Sequence, residues 1–259
     1  MLASEVIEKI EANKGKWEFL KTGFYSLDDA LDGGFLRKEL VILGGFTGIG
    51  KSYMAGQILL NIAKQGFKSS YYSLEISNEM VVSRLIGSLA NIRPTRIMAG
   101  LLTEEEYQKK LEAKAQLLCF DKYLAFYDSF YQLNQIRKSI DDDKPEFVVI
   151  DFIQNIFTVG ASEYERLSFA SLELQRIAKE QNCCILTLSQ LSNRAAREGS
   201  DSPTVEYKGS GGISQVADLG FWMEQRDTNK VRLVLRKNRR GQSKFTFDLT
   251  FENPGGRIY

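Results

Sequence analysis

Hydrophobic and polar positions follow two rhythms along this chain. From about residue 40, short apolar runs recur at 39–44 (ELVILG), 69–75 (SSYYSLE), 122–128 (KYLAFYD), 146–151 (EFVVID), 183–189 (CCILTLS) and 217–223 (ADLGFWM). Several are apolar at nearly every position, the pattern of strands buried on both faces. Between them, apolar residues return every three or four positions over 51–65, 77–89, 103–118, 130–141 and 163–181, which predicts helices. Leu167, Leu174 and Ile177 share one side of the last, and Thr103 with Glu106 forms a capping box for the third. Strand and helix in regular turn predict an α/β fold, a mainly parallel twisted sheet flanked by helices.

Both ends of the chain depart from that rhythm. Leu2, Val6 and Ile10 stand four apart among Glu and Lys, which predicts a short amphipathic helix, and Asn13-Lys14-Gly15-Lys16 reads as a linker. The chain therefore divides into an N-terminal helix and linker, 1–19, and one larger domain, 20–259. The helix either packs on its own domain or docks on a neighbouring subunit. At the other end, 230–236 (KVRLVLR) and 244–250 (KFTFDLT) alternate with period two around Asn238 to Gln242, predicting a C-terminal antiparallel hairpin on the sheet edge.

Composition narrows the chemistry. With 43% hydrophobic and 26% charged residues the 259-residue chain matches globular proteins, and no apolar run approaches the roughly 20 residues of a membrane span. Met1 to Lys14 carries Glu5, Glu8 and Glu11 and no secretory pattern, so a cytoplasmic location without a membrane partner is expected. A net charge of +1 gives no global sign of nucleic acid, so any such site must be local. Cys119, Cys183 and Cys184 lack metal-ligand spacing and read as core thiols of a reducing compartment, the adjacent pair pointing to opposite strand faces. The chain has no histidine, which removes Ser-His-Asp and Cys-His catalysis and histidine metal sites.

Gly45-Phe46-Thr47-Gly48-Ile49-Gly50-Lys51-Ser52 fits G-x-x-x-x-G-K-[ST], following an apolar strand and opening a helix. Gly45, Thr47, Gly48 and Gly50 shape a loop whose backbone N–H groups surround phosphate oxygens, at the positive end of a helix dipole. Lys51 would reach the β- and γ-phosphates of ATP, and Ser52 would ligate Mg²⁺. Asp151 closes the apolar run Phe147 to Ile150, the Walker B arrangement for a second contact to the Mg²⁺ shell. Glu75, at the end of run 69–75, is the candidate to orient the attacking water, the alternative being a strand-end surface carboxylate. Gln190 stands where a γ-phosphate sensor would, with the same alternative.

GFTGIGKS, YYSLEIS (71–77), VVIDFIQNI (148–156), LSQLSNR (188–194), KGSGGISQVAD (208–218) and RKNRRG (236–241) follow one another as in DnaB-type replicative helicases. Over residues 20–250 the chain resembles their RecA-like P-loop NTPase motor domain, and Thr22-Gly23-Phe24, Leu27-Asp28 and Gly33-Gly34 resemble its entry. The resemblance implies an ATP-dependent DNA helicase, a homo-oligomer in a hexameric ring, hydrolysing ATP at subunit interfaces to move on single-stranded DNA. Lys51 and Ser52 then match the Walker A pair, Glu75 the catalytic glutamate, Asp151 the Walker B aspartate and Gln190 the coupling glutamine. Lys237 and Arg239 match hairpin residues that enter the neighbouring subunit's ATP site.

From Lys230 to Lys244 there are seven cations and no acid, fitting either that role or a solvated cationic sheet edge. Channel-facing loops would be 157–165 and 191–211. In the second, Arg194, Arg197 and Lys208 suit phosphate contacts, and Gly209, Ser210 and Gly211 present backbone N–H groups. Glu198, Asp201 and Glu206 offset those cations in number, and a plain connecting loop is the other reading. Tyr164 fits base stacking or a solvent-facing helix start. The family ordinarily carries a helical N-terminal domain that engages primase, while some 15–20 residues precede the motor here. An excised motor domain or a stand-alone relative is expected, with primase or a helicase loader as partner in the first case. An ATP-switched DNA-binding scaffold of the RecA/KaiC-like type is the second functional reading, and a metabolic kinase the third.

Overall fold

The structure is a computed structural model that describes residues 2–12, 18–190 and 215–259. Helices α1 (Ala3–Ala12) and α2 (Tyr25–Ala30) precede β1 (Leu40–Gly45), α3 (Lys51–Lys64), β2 (Ser69–Ser73), α4 (Asn78–Ala90), α5 (Pro94–Ala99) and α6 (Glu104–Leu118). Then come β3 (Leu124–Tyr127), α7 (Leu133–Asp143), β4 (Phe147–Asp151), α8 (Glu163–Glu180) and β5 (Cys184–Gln190). Strands β6 (Leu219–Asp227), β7 (Lys230–Asn238), β8 (Thr246–Glu252) and β9 (Arg257–Ile258) close the chain.

One sheet runs in the order β3-β2-β4-β5-β1-β6-β7-β8-β9. The first six strands are parallel and correspond to the six apolar runs; the last three are antiparallel. On one face Met54, Ile58, Leu59 and Ile62 of α3 pack on Val41, Leu43, Val149 and Leu186. On the other, Ile136 and Ile140 of α7 and Leu167, Leu174 and Ile177 of α8 pack on Leu40, Ile42, Val148 and Ile185. Cys184 belongs to the first layer and Cys183 to the second, as their alternation requires.

Several expectations change. Strand β6 extends past Met223 to Asp227 because its far half pairs with β7 and not with β1. Helices α2 and α5 are too short to show a period, and the expected strand 69–75 ends at Ser73, where Leu74 N–H turns to the Asp151 carbonyl. Cys119 is exposed at the end of α6, not a core thiol, because that helix buries only Ala113 and Leu117. The capping box of Thr103 and Glu106 is formed.

The basic hairpin is not a free edge, since β7 is paired on both sides. Arg232 bonds Asp248, Arg236 lies 3.6 Å from Glu224, and Arg240 makes paired bonds of 2.6 and 2.5 Å to Glu39. Arg240 also donates to the carbonyls of Leu31 and Gly34, so it ties the hairpin to the chain's entry segment. Helix α1 buries none of its residues: Leu2 is 70% and Ile10 58% exposed, so packing on its own domain does not hold among the described residues. Among those residues no helix is long and apolar enough to cross a membrane.

Candidate active site

Parallel strands end together, and their register gathers the predicted residues at one sheet edge. Gly45 stands opposite Gln190 on one side and Met223 on the other, and Asp151 opposite Ser73. In an open parallel sheet this carboxyl edge is where ligands bind. The loop leaving β1 needs left-handed backbone at Gly48 (φ 81°) and Gly50 (φ 100°). A side chain at Gly50 would also meet the Phe251 ring of β8 at 2.0 Å, so the loop is braced from behind. Helix α3 then starts at Lys51 and points its N-terminal dipole into the loop.

Lys51 is only 8% exposed and donates to the carbonyls of Gly45 (2.8 Å) and Phe46 (2.9 Å). Burial pushes its ammonium down to about 8, against the opposing pull of Asp151 and Glu75. Asp151 is buried and accepts the Tyr71 hydroxyl at Oδ2, 2.7 Å away. Burial and then the Asp151 charge hold the Tyr71 phenol well above its ordinary range, so it stays a donor. The Asp151-Phe152 peptide is cis. Glu75 sits two residues beyond β2, exposed at the mouth.

Gln190 ends β5, and its backbone N–H approaches Gln154 Oε1 at 3.4 Å. Gln154 Nε2 in turn donates to Ser189 Oγ (3.0 Å) and the Gln190 carbonyl (3.2 Å), joining the segment after Asp151 to the end of β5. A cleft of about 470 Å³ brings Thr47, Gly48, Gly50, Lys51, Ser52, Glu75, Asp151 and Gln190 together. Gly45 lies just beneath it as the Lys51 acceptor. Among the described residues no three His, Cys, Asp or Glu side chains converge as a metal cage. One hydroxyl and one carboxylate, Ser52 and Asp151, fit instead a cation that takes most ligands from phosphate and water, as Mg²⁺ does.

Lys237 and Arg239 are not brought to this cleft. Lys237 is opposite Gly220 and Asn238 opposite Leu219, which is level with Val41. That is four strand residues back from Gly45, roughly 13 Å. Lys237 Nζ donates to the Gln215 carbonyl (2.7 Å), and Arg239 bonds Asp218 Oδ1 (2.9 Å) and the Gln215 carbonyl (2.8 Å). Asp218 Oδ2 is anchored by Leu40 N–H at 2.9 Å. Arg194, Arg197, Lys208, Gly209, Ser210 and Gly211 lie outside the described residues. After Asp151 the loop exposes Phe157 (70%) and Val159 (67%), and Tyr164 is 53% exposed.

Three contributors escaped the sequence reading. Arg84 of α4 lines the cleft with its guanidinium 5.3 Å over the Tyr53 ring, and nothing in the helical period marked it out. Gln154 was detectable, because Gln154 and Asn155 interrupt an apolar run; Asn155 Nδ2 donates to the Leu74 carbonyl at 2.9 Å. Tyr71 was hidden among β-strand apolar positions.

Comparison with known proteins bears on this geometry. The family model for the DnaB-like helicase C terminal domain matches residues 20–258. The replicative DNA helicase DnaB of Treponema pallidum is 28% identical over 250 residues, covering 93% of this chain and 56% of that protein. A probable plasmid replicative DNA helicase of Chlamydia muridarum is 31% identical over 251 residues, covering 93% and 55%. The chain thus spans about half the length of the curated relatives it matches. Among solved structures, one isolated ATPase domain superposes with a TM-score of 0.86 at 24% identity, covering 98% of this chain and 95% of that one. A DnaB-like replicative helicase, whose structure title includes its interactions with primase, gives 0.84 at 23%, covering 98% and 65%. At these identities the superpositions establish the RecA-like fold.

Proposed function

The chain belongs to the DnaB-like helicase C-terminal domain family, and from that membership we propose that it is an ATP-hydrolysing motor that moves on single-stranded DNA and opens duplex DNA during replication. The observation that carries this reading is the meeting of Lys51, Ser52, Glu75, Asp151 and Gln190 in one cleft at the carboxyl edge of the sheet.

Backbone N–H groups of Thr47, Gly48 and Gly50 cradle the ATP phosphates, and Lys51 contacts the β- and γ-phosphates. Ser52 and Asp151 hold Mg²⁺; when bound, the ion neutralises charge developing on the phosphate oxygens. Glu75 orients and deprotonates the attacking water, and Gln190, clamped by Gln154, passes the state of the γ-phosphate to the loops that follow. Lys237 and Arg239 act on the neighbouring chain's cleft, a role supported by their distance from their own. An arginine supplied in trans is worth about 10³–10⁵ in rate, so an isolated chain is a poor ATPase.

The partners follow from the same reading: a hexameric ring, single-stranded DNA in its channel, and primase or a helicase loader at the replication fork in the cytoplasm. Residues 20–259 form the motor, and residues 1–19 supply a helix and linker whose exposed stripe docks on the next subunit. Arg194, Arg197, Lys208 and Gly209 to Gly211 face the DNA. The test is ATP hydrolysis across a protein concentration series, with and without single-stranded DNA, using Lys51→Ala as the blank. Steep concentration dependence and stimulation by DNA are expected. Slow hydrolysis indifferent to DNA would sink the motor reading in favour of a nucleotide-switched scaffold.

A further inference from the structure

Tyr71 stands on β2, next to β4, in register with Val149. Its ring is 1% exposed and packs in the layer beneath α3, where an apolar side chain would serve packing equally well. A phenol there must place its hydroxyl somewhere, because a buried unsatisfied donor costs about 1–3 kcal/mol. Tyr71 and Ser73 point to one face, as do Val149 and Asp151, so the phenol reaches along the strand toward the carboxyl edge. Two strand residues span roughly 6.6 Å, which the length of a tyrosine covers. The hydroxyl ends 2.7 Å from Asp151 Oδ2. Ser52 lies against the same phenol. One buried hydroxyl therefore sits between the two side chains assigned to Mg²⁺.

Resting on the nucleotide-site reading above, we propose that Tyr71 is a positioning residue for the metal site: its hydroxyl occupies Oδ2 of Asp151 and leaves Oδ1 to face the Mg²⁺ shell, with Ser52 held alongside. The competing partner for that carboxylate is the Lys51 ammonium, which feels Asp151 electrostatically. Without the phenol, Asp151 turns toward Lys51, and both groups lose the orientation that serves phosphate and metal. Losing such a supporting partner typically costs about 10–100-fold in metal affinity.

The experiment uses Tyr71→Phe, which removes one oxygen and keeps the ring, in the full chain. Its control is Tyr72→Phe, which removes a buried hydroxyl from the same strand; the Tyr72 hydroxyl bonds Ser139 Oγ at 2.9 Å on the opposite face. A fluorescent ADP analogue is titrated first in EDTA and then against increasing Mg²⁺. Tyr71→Phe should bind the analogue in EDTA as the parent does, while the Mg²⁺ concentration for half-maximal effect rises about tenfold or more. Tyr72→Phe should follow the parent curve. A parental Mg²⁺ curve for Tyr71→Phe, or an equal shift in both variants, overturns the positioning role. Undiminished binding by Lys51→Ala would instead overturn the nucleotide-site reading beneath it, so the two failures are told apart.

Discussion

Lys51 carries a charge that its surroundings resist, and the chain must keep that charge to hold phosphate. Burial lowers its ammonium to about 8 from an ordinary 10.5, whereas bound phosphates would stabilise the proton and raise that value. Nucleotide binding then takes up a proton above pH 8. Affinity should be flat below that pH and fall above it by up to about tenfold per pH unit, until the pH reaches the bound-state value. Lys51→Arg, which stays charged throughout, should lose this alkaline limb even if its affinity at pH 7 is lower. Fluorescent-nucleotide titrations between pH 7 and 10 read both curves, and an identical limb in the arginine variant would put the titration elsewhere. The same lowered value affects folding with the opposite sense. The unfavourable burial of a charged Lys51 is fully present below pH 8 and is relieved as the pH rises from about 8 toward 10.5. Lys51 was legible as a phosphate ligand because its motif fixes loop, helix start and charge together. Arg84, on the same cleft, was not legible, since a single arginine on an amphipathic helix carries no spacing signal.

At the scale of elements, the strands gave themselves away where burial on both faces left nearly continuous apolar runs. Helices were readable where they were long enough to show a period. What escaped was decided by tertiary contacts. Whether the seven cations of the hairpin form a solvated edge depends on β8, which pairs with β7 and turns the supposed edge into an interior strand. Arg240 shows the consequence, because it is a structural strut while its neighbour Arg239 is half exposed. Arg240→Met would strand the buried Glu39 carboxylate and two carbonyl acceptors, so a loss of about 3 kcal/mol is expected. Chemical denaturation measures it, and a loss under about 1 kcal/mol would mean that the pair is not needed. Nucleotide affinity should hold, since Arg240 follows the end of β7 remote from Lys51. Helix α1 makes the converse case. It buries nothing, so deleting residues 2–12 should leave the melting temperature unchanged yet reduce assembly size in light scattering. Unchanged assembly would remove α1 from the subunit contact.

For the whole molecule, the two ends of the sheet pose a single question. The cleft lies at the carboxyl ends of the parallel strands, whereas Lys237 and Arg239 sit level with the start of β1, bonded to Gln215 and Asp218. No side-chain rotation closes a gap of roughly 13 Å along a rigid sheet. If Arg239 serves catalysis, it serves another copy of this chain, through a head-to-tail contact in which one chain offers a cleft and the next a hairpin. That arrangement makes two inactive variants complementary. Lys51→Ala chains keep a good hairpin, and Arg239→Ala chains keep a good cleft. Mixed in equal amounts before assembly, they form intact interfaces at about one junction in four. ATP hydrolysis should then return to about a quarter of the parental rate, from two preparations that are each nearly inert. Were Arg239 to act within its own chain, or only to brace Asp218, every junction would contain a defect in one chain and mixing would add nothing. The mixing rate therefore decides between a motor assembled from shared sites and a chain whose cleft works alone.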